Sequence, residues 1–171
     1  DWLVKAVIEA HKELPELTFD IYGSGGEDSL LREIIANHQA EDYIQLKGHA
    51  ELSQIYRQYE VYLTASTSEG FGLTLMEAIS SGLPLIGFDV PYGNQTFIED
   101  GKNGYLIPSS SDHVEDEIKK AYAEKICQLY LENRLEGMRE KSYQIAESFL
   151  TQEILNTWEE TIKEVVDDSV I

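Results

Sequence analysis

Two carboxylates, Glu69 and Glu77, are separated by seven residues in the stretch Thr64-Ala65-Ser66-Thr67-Ser68-Glu69-Gly70-Phe71-Gly72-Leu73-Thr74-Leu75-Met76-Glu77-Ala78. An apolar run empties there into small polar residues, turns at Gly70 and Gly72, and enters a segment with helical periodicity. The start of such a helix leaves amide N–H groups unpaired at the positive end of its dipole, a ready site for a phosphate. Gly70 and Gly72 let an anion approach the backbone closely. The carboxylates would repel phosphate, but they accept hydrogen bonds from hydroxyls: Glu69 from a sugar, Glu77 from a ribose. A second reading stands equally open on these residues alone, with Glu69 capping the helix and Glu77 on a solvated face.

Other candidate chemistry is weaker. Gly23-Ser24-Gly25-Gly26 follows a β-rich run and invites comparison with the dinucleotide fingerprint G-x-G-x-x-G. Asp28, however, occupies the place where close helix packing wants the third glycine. There is no Walker motif and no G-x-S-x-G nucleophile elbow. No carboxylate pair is set for double-displacement glycoside hydrolysis. His11, His38, His49 and His113 are scattered without metal-ligand spacing, so no metal site is expected. Cys127 falls in a helical pattern and reads as a small buried residue; a lone cysteine fits a reducing compartment.

The elements that must position these residues alternate. An amphipathic helix runs from Trp2 to about Leu14, and a strand covers Leu17 to Tyr22. Helical spacing at Leu30, Leu31, Ile34 and Ile35 precedes a strand at Tyr43 to Leu46. A short helix is expected over Leu52 to Tyr59, then a strand at Val61 to Thr64 and a helix over Leu73 to Ser81 stopped by Gly82. Strands follow at Pro84 to Phe88 and Gly104 to Ile107, and from Val114 the chain is helical, with one or two breaks, to about Val166. This order predicts an α/β fold: one Rossmann-like parallel sheet flanked by helices, with a C-terminal helical tail. The expected organisation is a single domain over 1–171, with an α/β core at 1–110 and helices at 111–171. The loops at Gly23–Gly26, Gly48–Ala50, Ser66–Gly72 and Asp89–Gln95 all leave strand ends and should line one crevice.

Composition sets the remaining bounds. A chain of 171 residues with 42% hydrophobic content suits one domain. The formal charge of -19, from 32 acidic and 13 basic residues, disfavours nucleic acid and anionic membranes as partners. No apolar run reaches the roughly 20 residues a spanning helix needs. The opening Asp1-Trp2-Leu3-Val4 shows neither a basic leader nor an initiator Met, so an excised piece of a cytoplasmic protein is expected.

The motif E-G-F-G-L-T-L-M-E-A at 69–78, followed by S-G-L-P-L-I-G-F at 81–88 and E-D-G-K-N-G-Y-L-I at 99–107, resembles the C-terminal domain of family 4 retaining glycosyltransferases of the GT-B fold. The resemblance decides between the two readings of Glu69 and Glu77, because that family carries an E-x7-E motif. It implies that Glu69 is the catalytic residue, contacting hydroxyls of the donor sugar. Gly70, Phe71, Gly72, Leu73 and Thr74 would offer backbone amides to sugar and diphosphate, and Glu77 would bind the ribose. Gly48-His49-Ala50 would receive the uracil, and Gly23, Ser24 and Gly25 match the family's glycine-rich turn.

Pro91-Tyr92-Gly93-Asn94-Gln95-Thr96-Phe97-Ile98 resembles a bacterial subgroup that glycosylates serine-rich adhesins in the accessory secretion system; teichoic-acid glucosyltransferases are close relatives. Asn133 to Val166, with Trp158, resembles the helices that close this domain. The implied donor is UDP-N-acetylglucosamine, with no cofactor and no metal. The implied partners are an N-terminal acceptor domain not present here, a transferase-like companion subunit and a protein or polymer acceptor. The family's diphosphate-binding Arg and Lys have no equivalent in this chain, so the fragment alone should be inactive.

Overall fold

The computed structural model describes residues 1–109, 115–150 and 154–159. Helix α1 (Trp2–His11) leads to β1 (Phe19–Tyr22), α2 (Asp28–Asn37) and β2 (Ile44–Gly48). After two 3-10 turns come β3 (Tyr62–Leu63), α3 (Leu73–Ser80), β4 (Leu85–Asp89), α4 (Gly93–Phe97) and β5 (Gly104–Pro108). Helices α5 (Glu115–Leu131) and α6 (Leu135–Glu147) follow, and helical backbone recurs at 154–159. The expected helix start at Val114, its end near Val166 and His113 lie outside the described residues.

Every strand pair is parallel, as the alternation predicts, but the strands form two sheets rather than one: β1–β2 and β3–β4–β5. The pairing gap lies between β1 and β3. A cavity of about 800 Å³ separates them, lined by both strands, by Leu3 and Val7 of α1, by Ile126 of α5, and by Tyr56 and Leu83. Periodicity along a strand does not report which edge finds a partner, and this one does not close.

β4 is central in its sheet and buried through Leu85, Ile86, Gly87 and Phe88. Leu85 packs with α3 and α6 through Leu75, Ile79 and Ile145, whereas Ile86 and Phe88 face the core built on α1 and α5. Burial of each such side chain contributes about 1.5–3 kcal/mol. Tyr122, fully buried on α5, donates its hydroxyl to the Thr64 carbonyl at 2.7 Å. That bond ties the helical tail to the end of β3, where the Glu69 loop begins.

The segment expected as one helix over Leu52 to Tyr59 is instead two 3-10 turns, Leu52–Gln54 and Tyr56–Gln58. Tyr56 is the buried residue of this stretch, and its hydroxyl donates to Glu77 at 3.0 Å. β1 begins at Phe19 rather than Leu17, and β2 reaches Gly48. Cys127 is part-buried, not buried, with Sγ 3.9 Å from the Ala10 carbonyl; burial raises its thiol pKa. No described helix is long and apolar enough to cross a membrane.

Candidate functional site

The candidate site forms where β3 gives way to α3. Gly72, the residue before α3, has φ 83 and ψ 60, a left-handed conformation suited to glycine. A Cβ there would also meet Leu75 Cδ1 at 2.8 Å. The turn leaves the amides of Leu73 and Thr74 at the helix start, and the Gly72 carbonyl accepts from Leu75 and Met76 at 3.0 and 3.1 Å. The first turn of α3 itself contains no acidic residue. Gly70 has open space around its Cα, as close approach by a ligand requires. Phe71 is half exposed and its ring packs edge-on against Phe97, 5.3 Å between centroids, which anchors the loop.

Glu69 is part-buried and is held from behind by a second loop. Its carbonyl accepts the Gly93 amide at 3.2 Å, and Glu69 and Tyr92 form an isolated parallel bridge. Gly93 is buried so tightly that a Cβ would lie 2.8 Å from Glu69 Cβ and 2.9 Å from the Phe71 carbonyl. Asn94, fully buried, donates from Nδ2 to the Phe88 carbonyl at 2.8 Å, while its Oδ1 has no hydrogen-bond partner among the described residues. Tyr92 has φ 70 and ψ -101. Such a conformation costs a non-glycine residue about 1–3 kcal/mol.

Glu77 lies farther along α3, exposed, and accepts the Tyr56 hydroxyl at 3.0 Å. Burial pushes the Tyr56 phenol well up, and the hydrogen bond and charge of Glu77 push it further, so it stays a donor. The Tyr62 phenol is also raised, first by burial, and then by the charges of Glu69 and Glu77 against a lowering hydrogen bond with Thr74. Both carboxylates therefore act on one phenol. Sequence reasoning missed Tyr56 and Tyr62 as supports; the cluster of tyrosines at 56, 59 and 62 was the available signal.

The other predicted residues sit on the β1–β2 side. The Gly23 amide donates to the Gly48 carbonyl at 2.8 Å, so those two strand-end turns meet. The Gly25 amide donates to Asp28 Oδ1 at 3.0 Å, so the glycine-rich turn spends that donor on its own helix. Ser24, Gly25, His49 and Ala50 are exposed. The four strand-end loops thus join as two pairs, 23 with 48 and 69 with 93. Of the predicted site residues only Thr74 lines the cavity between the sheets.

His11 and His38 serve the fold: His11 stacks on Tyr43 at 3.6 Å between centroids, and His38 Nδ1 contacts the Ile34 carbonyl at 2.8 Å. Among the described residues no group of three or more His, Cys, Asp or Glu could hold a metal ion.

Residues 1–132 match the family described as glycosyl transferases group 1. The UDP-N-acetylglucosamine–peptide N-acetylglucosaminyltransferase GtfA subunit of Streptococcus pneumoniae is 88% identical over 168 residues, covering 98% of this chain and 33% of that protein. The crystal structure of the pneumococcal O-GlcNAc transferase GtfA in complex with UDP and GlcNAc superposes with a TM-score of 0.90 at 88% identity, over 97% of this chain and 33% of that one. The crystal structure of a GtfA/B complex gives 0.90 at 63% identity, over 98% and 33%. The chain thus spans about a third of the length of these relatives. Its parallel strands, flanking helices and helical tail are those of the C-terminal half of a GT-B fold. This chain belongs to the group 1 glycosyl transferases.

Proposed function

We propose that this chain is the donor-binding half of a retaining glycosyltransferase, and that the whole protein transfers N-acetylglucosamine from UDP-N-acetylglucosamine to Ser and Thr hydroxyls of a serine-rich adhesin. The observation that carries this reading is Glu69, braced by the Gly93 turn beside the acid-free start of α3, in a chain 88% identical to part of a peptide N-acetylglucosaminyltransferase subunit. Glu69 accepts a hydroxyl of the donor sugar and is the catalytic residue. The amides of Gly70, Phe71, Gly72, Leu73 and Thr74 face sugar and diphosphate, where the helix dipole offsets part of the charge that develops as UDP leaves. Glu77, fixed by Tyr56, takes the ribose. Gly48, His49 and Ala50 receive the uracil, and Gly23, Ser24 and Gly25 border the same crevice.

In the transfer the acceptor hydroxyl forms a bond to the anomeric carbon on the face that UDP leaves. The bond from that carbon to the diphosphate oxygen breaks, and the acceptor proton passes to the departing phosphate. No metal or cofactor takes part.

The same reading gives 1–110 as the α/β core, 111–171 as closing helices, and an acceptor domain in the rest of a protein about three times this length. The facing parallel edges of β1 and β3 support a further strand there, contributed from outside these 171 residues. A transferase-like companion subunit and a cytoplasmic location belong to the same reading.

The test is incubation of the full-length protein and its companion with UDP-N-acetylglucosamine and a serine-rich peptide. Mass spectrometry should show added N-acetylhexosamine, and NMR an α linkage. Absence of transfer, or a β linkage, would overturn the reading. Transfer of glucose to poly(glycerol phosphate) instead would move the chain to a teichoic-acid activity.

A further inference from the structure

Tyr92 is the residue whose conformation its own chemistry does not favour. Its φ of 70 and ψ of -101 are the mirror image of ordinary extended backbone, which glycine adopts freely and tyrosine does not. The surroundings impose that conformation from both sides. Behind it, Gly93 is wedged against Glu69 Cβ and the Phe71 carbonyl, and Asn94 is fully buried and bonded to the Phe88 carbonyl. Within the turn, the Tyr92 carbonyl accepts the Thr96 amide at 2.8 Å, and Gln95 Nε2 donates to Asp89 at 2.7 Å.

None of these contacts uses the tyrosine ring, which is 72% exposed. Its backbone is bridged to Glu69, so this exposed side chain leaves the chain beside the loop whose carboxylate the proposed function places on the donor sugar. A glycine would serve the turn better. Strain kept at such a place implies that the side chain serves the ligand.

We propose that Tyr92 is a specificity-determining residue, its ring providing the aromatic face on which a pyranose packs beside Glu69. The apolar C–H face of a sugar ring suits an aromatic plane, while the hydroxyls around its edge suit a carboxylate, so Tyr92 and Glu69 divide the ring between them. The inference rests on the glycosyltransferase reading and names how its sugar is held. Two pyranoses meet at such a site, the donor's and any already on a glycosylated acceptor, and the same experiment separates them.

The affinities of the full-length protein for UDP, for UDP-N-acetylglucosamine and for a serine-rich peptide already bearing N-acetylglucosamine are measured by calorimetry for the wild type, Tyr92→Gly, Tyr92→Phe and Glu69→Ala, with Tm recorded for each. Tyr92→Gly is expected to raise Tm and to leave UDP affinity unchanged, while UDP-N-acetylglucosamine weakens by about three- to tenfold. Tyr92→Phe should keep the wild-type preference, because the ring and not the hydroxyl is the contact. If Tyr92→Gly retains the donor preference but weakens a glycosylated peptide, the pyranose belongs to the acceptor. If it retains both, while Glu69→Ala loses sugar preference, this inference falls and the glycosyltransferase reading stands. If the wild type binds neither UDP nor the UDP-sugar, both fall.

Discussion

Two glycine-rich turns in this chain follow parallel strands and enter helices, yet they are built for opposite purposes. At Gly23 to Glu27 the backbone satisfies itself: Gly23 donates to Gly48, Gly25 donates to Asp28, and α2 carries Asp28 in its first turn. A Cβ added at Gly23, Gly25 or Gly26 would meet nothing within 4 Å, as at Gly70, so open space does not separate the two turns. At Glu69 to Gly72 the first turn of the following helix is free of acid, Gly72 has a positive φ and leaves no room for a Cβ against Leu75, and the Glu69 carbonyl is held by the Gly93 amide. Similar letters give one turn that closes on its own carboxylate and one that leaves its donors outward. On the proposed function, the negative part of the ligand is therefore assigned to the start of α3 rather than to that of α2.

The largest effect expected from breaking this contrast is at Gly93. Gly93→Ala places a methyl against Glu69 and the Phe71 carbonyl, at a cost of about 1–3 kcal/mol. Chemical denaturation should show that loss, and UDP-sugar binding should weaken with it because Glu69 is displaced. Tyr56→Phe is the next test. It removes one hydrogen bond to Glu77, worth about 0.5–1.5 kcal/mol net. The full-length protein should then bind UDP and UDP-sugar with the same small loss, since Glu77 is assigned to the part they share. The smallest effect belongs to Gly25→Ala, whose Cβ meets nothing. Its stability should stay within about 0.5 kcal/mol of wild type. A UDP affinity reduced by more than about tenfold, or 1.4 kcal/mol, would place the diphosphate against this turn and end the contrast.

Much of this arrangement was legible in the residues. Gly82 stops the α3 segment with φ 78, and the run at 84–88 is the central buried strand its lack of alternation suggested. Spacing and the loop-to-helix context drew attention to Glu69 and Glu77 but left a cap and a solvated face equally open, and the family resemblance decided between the readings. What escaped were contacts between distant parts of the chain. Tyr56 reaches Glu77 across 21 residues, and the Gly93 turn reaches Glu69 from beyond the next strand. Local periodicity carries no information on either. The split between β1 and β3 escaped for the same reason, because strand patterns fix faces and leave edge partners open. The two 3-10 turns at 52–58 escaped because the spacing of Leu52, Ile55 and Tyr56 does not separate a 3-10 turn from an α-helix over so short a stretch.

The division of labour along α3 is tested most directly by titrating the full-length protein and its Glu69→Ala and Glu77→Ala variants with UDP, UDP-N-acetylglucosamine and UDP-glucose. Glu77→Ala should weaken all three ligands alike, and Glu69→Ala should erase the preference for UDP-N-acetylglucosamine over UDP-glucose while sparing UDP. Unchanged binding in both variants would contradict the account and leave the two carboxylates as surface residues of α3 and its loop.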